Sequence, residues 1–249
     1  MLKKILNTLK SKSEKKILIS EIEEIYARIP IDFGGGCSIQ KGLLMSLLIS
    51  NFKLQKTVDL GVYRGRSLFP QAIAHKLFSD GVVFGVDPYS NLAAVQNDRP
   101  ELQKDLDHFV KETDFNKLYN DVTSLIQSNK LTGNCMLVRE TSADASSFFI
   151  NNNYMLDLVH IDGNHDTKFV MEDANNYLPL LNDKSFIVLD DVSWDSVQPA
   201  FNLLMKKMIF VDKLIDTYND FALFSQGLTA EEVKTVRDIF KQIKKTKGN

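Results

Sequence analysis

The stretch TVDLGVYRGRS, residues 57–67, decides how the rest of the chain is read. Its first half is short, apolar and β-branched, which suits a buried strand. Its second half turns on Gly61 and Gly65 and runs into an apolar segment with helical spacing. A strand feeding a helix through a glycine turn is one βα unit. Moving outward, the same alternation repeats: strand candidates lie at 57–61, 82–87, 135–140, 156–162, 185–191, 208–215 and 220–225, with helix candidates at 67–78, 144–150, 168–181 and 197–207. The last two strands are joined by DTYND, which leaves no room for a crossover helix, so they should pair as an antiparallel hairpin. The expected fold is α/β: a Rossmann-like, doubly wound, mostly parallel seven-stranded sheet ending in an antiparallel hairpin.

Around this core at 56–225, the chain reads as a single domain over 1–249. Residues 1–50 form an N-terminal helical segment broken by IPIDFGGGCS, and 88–132 form a helical insertion after strand 2, with pieces near 101–112 and 115–127. A C-terminal helix at 229–249 has Thr229 as its cap before AEEV. An insertion at a carboxyl strand end is placed to become a lid on a ligand site or an added packing layer.

A length of 249 residues with 44% hydrophobic content supplies a substantial core, and a formal charge of −2 gives no overall attraction to nucleic acid. Cys37 and Cys135 are far apart and read as reduced thiols. GLLMSLLI at 42–49 is far too short to span a bilayer. The N-terminal MLKKILNTLKSKSEKK carries Leu2, Ile5, Leu6 and Leu9 at helical spacing among lysines, without a secretory apolar region. It is read as a helix packed on its own domain rather than on an anionic membrane. The expectation is a cytoplasmic protein with no nucleic-acid partner and no transmembrane segment.

The loop spacing is Asp59-x-Gly61-x-x-x-Gly65-x-Ser67, which is not the three-glycine GxGxxG that seats a pyrophosphate. An acid at the strand end facing a glycine turn suits a ligand with an amino group beside a part that backbone can approach. The methionine portion of S-adenosylmethionine fits. Asp87 ends the second strand where nucleotide sites place a carboxylate for the two ribose hydroxyls.

A second stretch, LDLVHIDGNHD at 156–166, contains the tetrapeptide GNHD that metallophosphoesterases use. Those enzymes also need Asp-x-His, Gly-Asp-x-x-Asp and Gly-His-x-His, because two adjacent metals require that many ligands. None of these occurs, and the four histidines are His75, His108, His160 and His165. The match is coincidental. Asp162 instead ends the fourth strand, as Asp190 and Asp191 end the fifth. Three acids converging on one sheet edge repel one another unless a cation joins them, and oxygen ligation suits Mg²⁺ or Mn²⁺. His165, three residues on, has an unperturbed pKa of about 6.5 that leaves it mostly neutral near pH 7 and able to take a proton, unless it is an exposed loop histidine that caps the following helix. Asp166 is expected to help begin the following helix, Asp173 to lie on that helix's exposed face, and His160 to be packed within its strand.

DLGVYRGRS resembles the first motif, E/D-x-G-x-x-x-G-x-S, of S-adenosylmethionine-dependent O-methyltransferases of the catechol and caffeoyl-CoA type. The resemblance runs from about 57 to 225. It implies a cofactor site at Asp59, Gly61, Gly65, Ser67 and Asp87, with Ser142 at the adenine, and a metal site at Asp162, Asp190 and Asp191. Asp191 and His165 stand where the catechol type has Asn and Lys, and are similar instead to the bacterial sugar O-methyltransferases of the macrocin type. The implied reaction is metal-assisted methyl transfer to a hydroxyl of a sugar, a nucleotide-linked or polysaccharide sugar, or another vicinal diol. His165 takes the proton, and Asp162 serves both metal and catalysis. A nicotinamide-dependent oxidoreductase and a non-catalytic Rossmann-like module stay open. Gly34 to Gly42 is a candidate mobile substrate-side loop or a turn before a helix that starts near Ser38, and Ile239, Phe240 and Ile243 offer either a surface for a homodimer or packing on the chain's own sheet.

Overall fold

The computed structural model describes residues 12–32 and 36–245. The chain runs α1 (Lys12–Tyr26), α2 (Ile39–Phe52), β1 (Lys56–Leu60), α3 (Leu68–Phe78), β2 (Val82–Val86), α4 (Gln103–Glu112), α5 (Phe115–Ser128), β3 (Cys135–Val138) and α6 (Ser142–Asn151). It continues through β4 (Leu156–Ile161), α7 (Thr167–Tyr177), β5 (Leu181–Asp190), α8 (Gln198–Lys207), β6 (Ile209–Asp216), β7 (Asn219–Gln226) and α9 (Ala230–Lys244). The seven strands form one sheet in the order β3-β2-β1-β4-β5-β7-β6. All pairs from β3 to β5 are parallel, and β7 pairs antiparallel with both β5 and β6. This is the expected sheet with its terminal hairpin.

Strand residues alternate between two cores because successive side chains point to opposite faces. In β4, Leu158 joins the cluster formed with α1, α2, α3 and α9, while Val159 and Ile161 join the one with α6, α7 and α8. Burial on both faces explains why these strands read as nearly continuous apolar runs. The apolar 42–49 run is the body of α2, buried between α3 and α9. Among the described residues no helix is long and apolar enough to cross a membrane.

Two boundaries differ most from expectation. The helix expected to reach residue 181 ends at Tyr177 and passes into a 3-10 turn, Leu178–Leu180. Pro179 has no N–H to donate to the carbonyl four residues back, so the α-helical ladder stops there although Leu178 keeps α-region angles. β5 begins early, at Leu181, because that residue pairs with Leu156 ahead of a register shift. Thr229 caps α9 in a full capping box with Glu232. Of the two roles open to Ile239, Phe240 and Ile243, these side chains take the internal one: all three are fully buried in the chain's own core. Leu2, Ile5, Leu6, Leu9, Gly34 and Gly35 lie outside the described residues.

The sheet order reverses direction between β1 and β4, and a doubly wound sheet opens its ligand crevice at such a switch point. Register sets what meets there. Asp59 lies beside His160 and Leu60 beside Ile161, and the Asp162 amide donates to the Leu60 carbonyl at 3.0 Å.

Candidate active site

The crevice is a cavity of about 620 Å³ over the carboxyl ends of the parallel strands, lined by residues from both sides of the switch point. On the β1 side, Gly61 has φ +86°, and an added Cβ would lie 1.9 Å from the carbonyl oxygen of Asp162. Only glycine lets the two strand ends approach so closely. Gly65, at φ +85°, packs its backbone against the ring of Phe69, which a Cβ would meet at 2.6 Å.

Gly61, Ser67, Asp87 and Ser142 line the cavity, whereas Asp59 and Gly65 stand behind it. Asp59 is fully buried, accepting from Ser67 Oγ at 2.7 Å and facing His160 Nδ1 at 2.6 Å. Its carboxylate therefore positions Ser67 and His160 rather than facing the crevice. Asp87 accepts from the backbone amides of Tyr63 at 2.9 Å and Tyr89 at 2.7 Å. Burial raises its pKa against the pull of these amides. Ser142 is the first residue of α6, which Thr141 caps.

On the β4–β5 side, Asp162, His165, Asp190 and Asp191 line the same cavity. His165 Nε2 lies 3.4 Å from Asp162 Oδ1 and 3.2 Å from Asp191 Oδ2. Burial would lower its pKa, but Asp191 and Asp162 outweigh burial and push it up to about 9. In this arrangement the ring is an imidazolium at neutral pH, not the neutral group expected from an unperturbed histidine. Burial also works against ionised Asp162, yet Lys41, His165 and His160 hold its carboxyl well below the usual range. Burial, with the neighbouring carboxylates, pushes Asp190 and Asp191 up.

Two overlapping donor groups result: His160, Asp162 and Asp190, and Asp162, His165 and Asp191. Among the described residues, the buried atoms His160 Nε2 and Asp190 Oδ1 have no hydrogen-bond partner. His160 is held through its other nitrogen by Asp59, the arrangement that orients metal-binding imidazoles. Orphaned donors around three carboxyls fit a divalent cation. The three aspartates are shared between two groups rather than forming one. Asp191 and Tyr63, both lining the cavity, sit in the left-handed region at φ 50° and 47°.

Several residues here carry no local signal. Lys41 reaches from α2 to place its ammonium 2.5 Å from Asp190 Oδ2 and 3.3 Å from Asp162 Oδ2. Burial would lower its pKa, but the two carboxylates hold it well above the ordinary lysine value. Asp173, expected on an exposed face, is 2% exposed. It faces Ser142 across the cavity wall, and burial pushes its carboxyl up to about 7. The buried face of α7 is wider than its sequence suggests.

The GNHD segment proves to be a fastener. Asn164 Nδ2 donates to the carbonyls of Ala93 and Val95, at 3.1 and 2.7 Å. Asp166, at the start of α7, makes no cap bond and instead accepts from the amides of Asn97 and Asp98, both at 2.8 Å. Arg99 stacks on Trp194 at 3.7 Å, and His165 meets the same ring at 5.1 Å. The first part of the insertion thus forms a wall of the cavity, while α5 buries Phe115, Leu118, Val122 and Ile126 as a packing layer.

Residues 58–192, more than half of the chain, match the model of a family described as a methyltransferase domain. Similar solved structures include an O-methyltransferase from Bacillus cereus in complex with S-adenosylhomocysteine (14% identity, 84% of this chain and 90% of that one, TM-score 0.56). The O-methyltransferase NovP is 12% identical over 86% of this chain and 98% of its own, with a TM-score of 0.60. An S-adenosylhomocysteine-bound methyltransferase from Podospora anserina is 13% identical over 85% and 88%, with a TM-score of 0.54. At these identities the likeness is one of fold. No curated protein matches the chain by sequence.

Proposed function

The chain belongs to the methyltransferase-domain family, and from that premise we propose that it transfers the methyl group of S-adenosylmethionine to a hydroxyl oxygen of a small molecule, a sugar or another vicinal diol. One observation carries this reading. A single cavity joins a glycine turn and a ribose-type carboxylate on one side to an acid-histidine cluster on the other. A methyl donor and a hydroxyl acceptor need those two halves face to face.

Gly61 and the backbone after it receive the methionyl part, while Ser67, positioned by Asp59, stands beside it. Gly65 shapes the turn, Asp87 takes the ribose hydroxyls, and Ser142 lies at the adenine. Asp162, Asp190 and Asp191 would hold Mg²⁺ or Mn²⁺, which supplies Lewis acidity toward the acceptor hydroxyls when bound. The acceptor oxygen attacks the methyl carbon as the carbon–sulfur bond breaks, leaving S-adenosylhomocysteine. His165 takes the hydroxyl proton. It does so as the neutral imidazole, having first released to solvent the proton that Asp162 and Asp191 favour on it.

Isothermal titration with S-adenosylhomocysteine, with NADH as comparison, tests the cofactor. Saturable binding of the former alone is expected. Binding of NADH alone would turn the reading toward an oxidoreductase.

A further inference from the structure

α2 is almost wholly buried and apolar from Leu43 to Ile49, save Ser46, yet its first turn carries Lys41 with a side chain only 5% exposed. A buried ammonium is strongly disfavoured unless anions accompany it. Ser38 accepts from the Lys41 amide at 3.1 Å and itself donates to Asn219 at 2.5 Å, which ties this turn to the β6–β7 hairpin. So anchored, the lysine points at the carboxyl ends of β4 and β5, and its Nζ contacts the Oδ2 atoms of both Asp190 and Asp162. Asp162 Oδ2 is also the atom that His160 Nε2 approaches, at 3.7 Å.

An ion bound by His160, Asp162 and Asp190 would therefore need ground that an ammonium already holds. We infer that Lys41 is a resident cation of the acidic cluster and competes with a divalent ion for Asp162 and Asp190. The inference rests on the methyltransferase reading only in taking this cluster as the acceptor half of the site. Charge balance is then built into the polypeptide: a divalent ion binds weakly and only by displacing the ammonium.

The test is Mn²⁺ binding, read by electron paramagnetic resonance, for the wild-type chain and for Lys41→Met and Lys41→Gln. Each sample is also melted with and without Mn²⁺ and titrated with S-adenosylhomocysteine. The wild type is expected to bind Mn²⁺ only in the millimolar range, with a melting temperature indifferent to it. Each variant should bind at least tenfold more tightly, and should lose thermal stability without Mn²⁺ and regain it with Mn²⁺. Micromolar binding by the wild type overturns the inference, and this arm needs no variant to fold. Equal or weaker binding by folded variants overturns it as well. Failure of S-adenosylhomocysteine to bind any of the three would count against the cofactor assignment and leave the Mn²⁺ comparison intact.

Discussion

His165 shows how a single side chain changes character with its surroundings. Its Nε2 is shared between Asp162 and Asp191, and its ring rests on Trp194. These contacts fix the ring at the cavity wall, and the base role proposed for it would contribute about 10²- to 10⁴-fold to rate. His165→Ala should lower kcat by that factor, while S-adenosylhomocysteine, bound on the far side of the crevice, keeps its affinity. Steady-state kinetics beside a calorimetric titration decide the matter. An unchanged kcat would remove His165 from the chemistry, and a parallel loss of cofactor affinity would make it structural.

At the scale of elements, the segment leading from β2 into α4 is held to the loop between β4 and α7 mainly by the Asn164 and Asp166 side chains. Asp166 is 8% exposed and receives two backbone amides from Asn97 and Asp98. Hydrogen bonds to a charged group contribute roughly 1.5–3 kcal/mol each, so losing both with the carboxylate should open this wall locally by about 10²- to 10⁴-fold. Asp166→Ala is expected to speed amide hydrogen exchange across residues 93–102 and leave β4 protected. Equal protection in both proteins would mean that Asn164 and the Arg99–Trp194 stack suffice. The element pattern itself was largely legible in sequence, because βα units declare themselves through local period and glycine turns. GNHD was not, since its fastening role depends on a loop some seventy residues away.

For the molecule as a whole, legibility follows the range of the physics. Gly61, Asp87, Asp162, Asp190 and Asp191 were readable because each ends a strand, and parallel strands bring their carboxyl ends to one edge. Lys41 was not, because its partners lie 121 and 149 residues away and nothing in an apolar helix marks its third residue as a counter-ion. Asp173 was missed because α7 buries a wider face than its polar residues suggest. His75 is a third group set by long-range burial, and it governs a property of the global fold. It is fully buried, with Nε2 3.0 Å from Thr57 Oγ1 and Nδ1 2.8 Å from Ser79 Oγ. Burial, against a weak pull from Asp157, lowers its pKa to about 4. The native ring is therefore neutral, while an unfolded histidine titrates near 6.5. Above that pH the two states hold the same protons and the stabilisation is complete. As pH falls from about 6.5 toward 4, the unfolded chain takes up a proton that the native chain refuses, and stability declines by up to about 3 kcal/mol. Asp173, raised to about 7, acts with the opposite sign, because the native state keeps a proton that the unfolded state releases. A raw pH curve mixes the two, so the informative quantity is the wild-type curve minus that of His75→Gln. Urea unfolding at about pH 7 and about pH 5 should show this difference shrinking as pH falls. A difference that stays constant would mean that His75 is protonated in the native core.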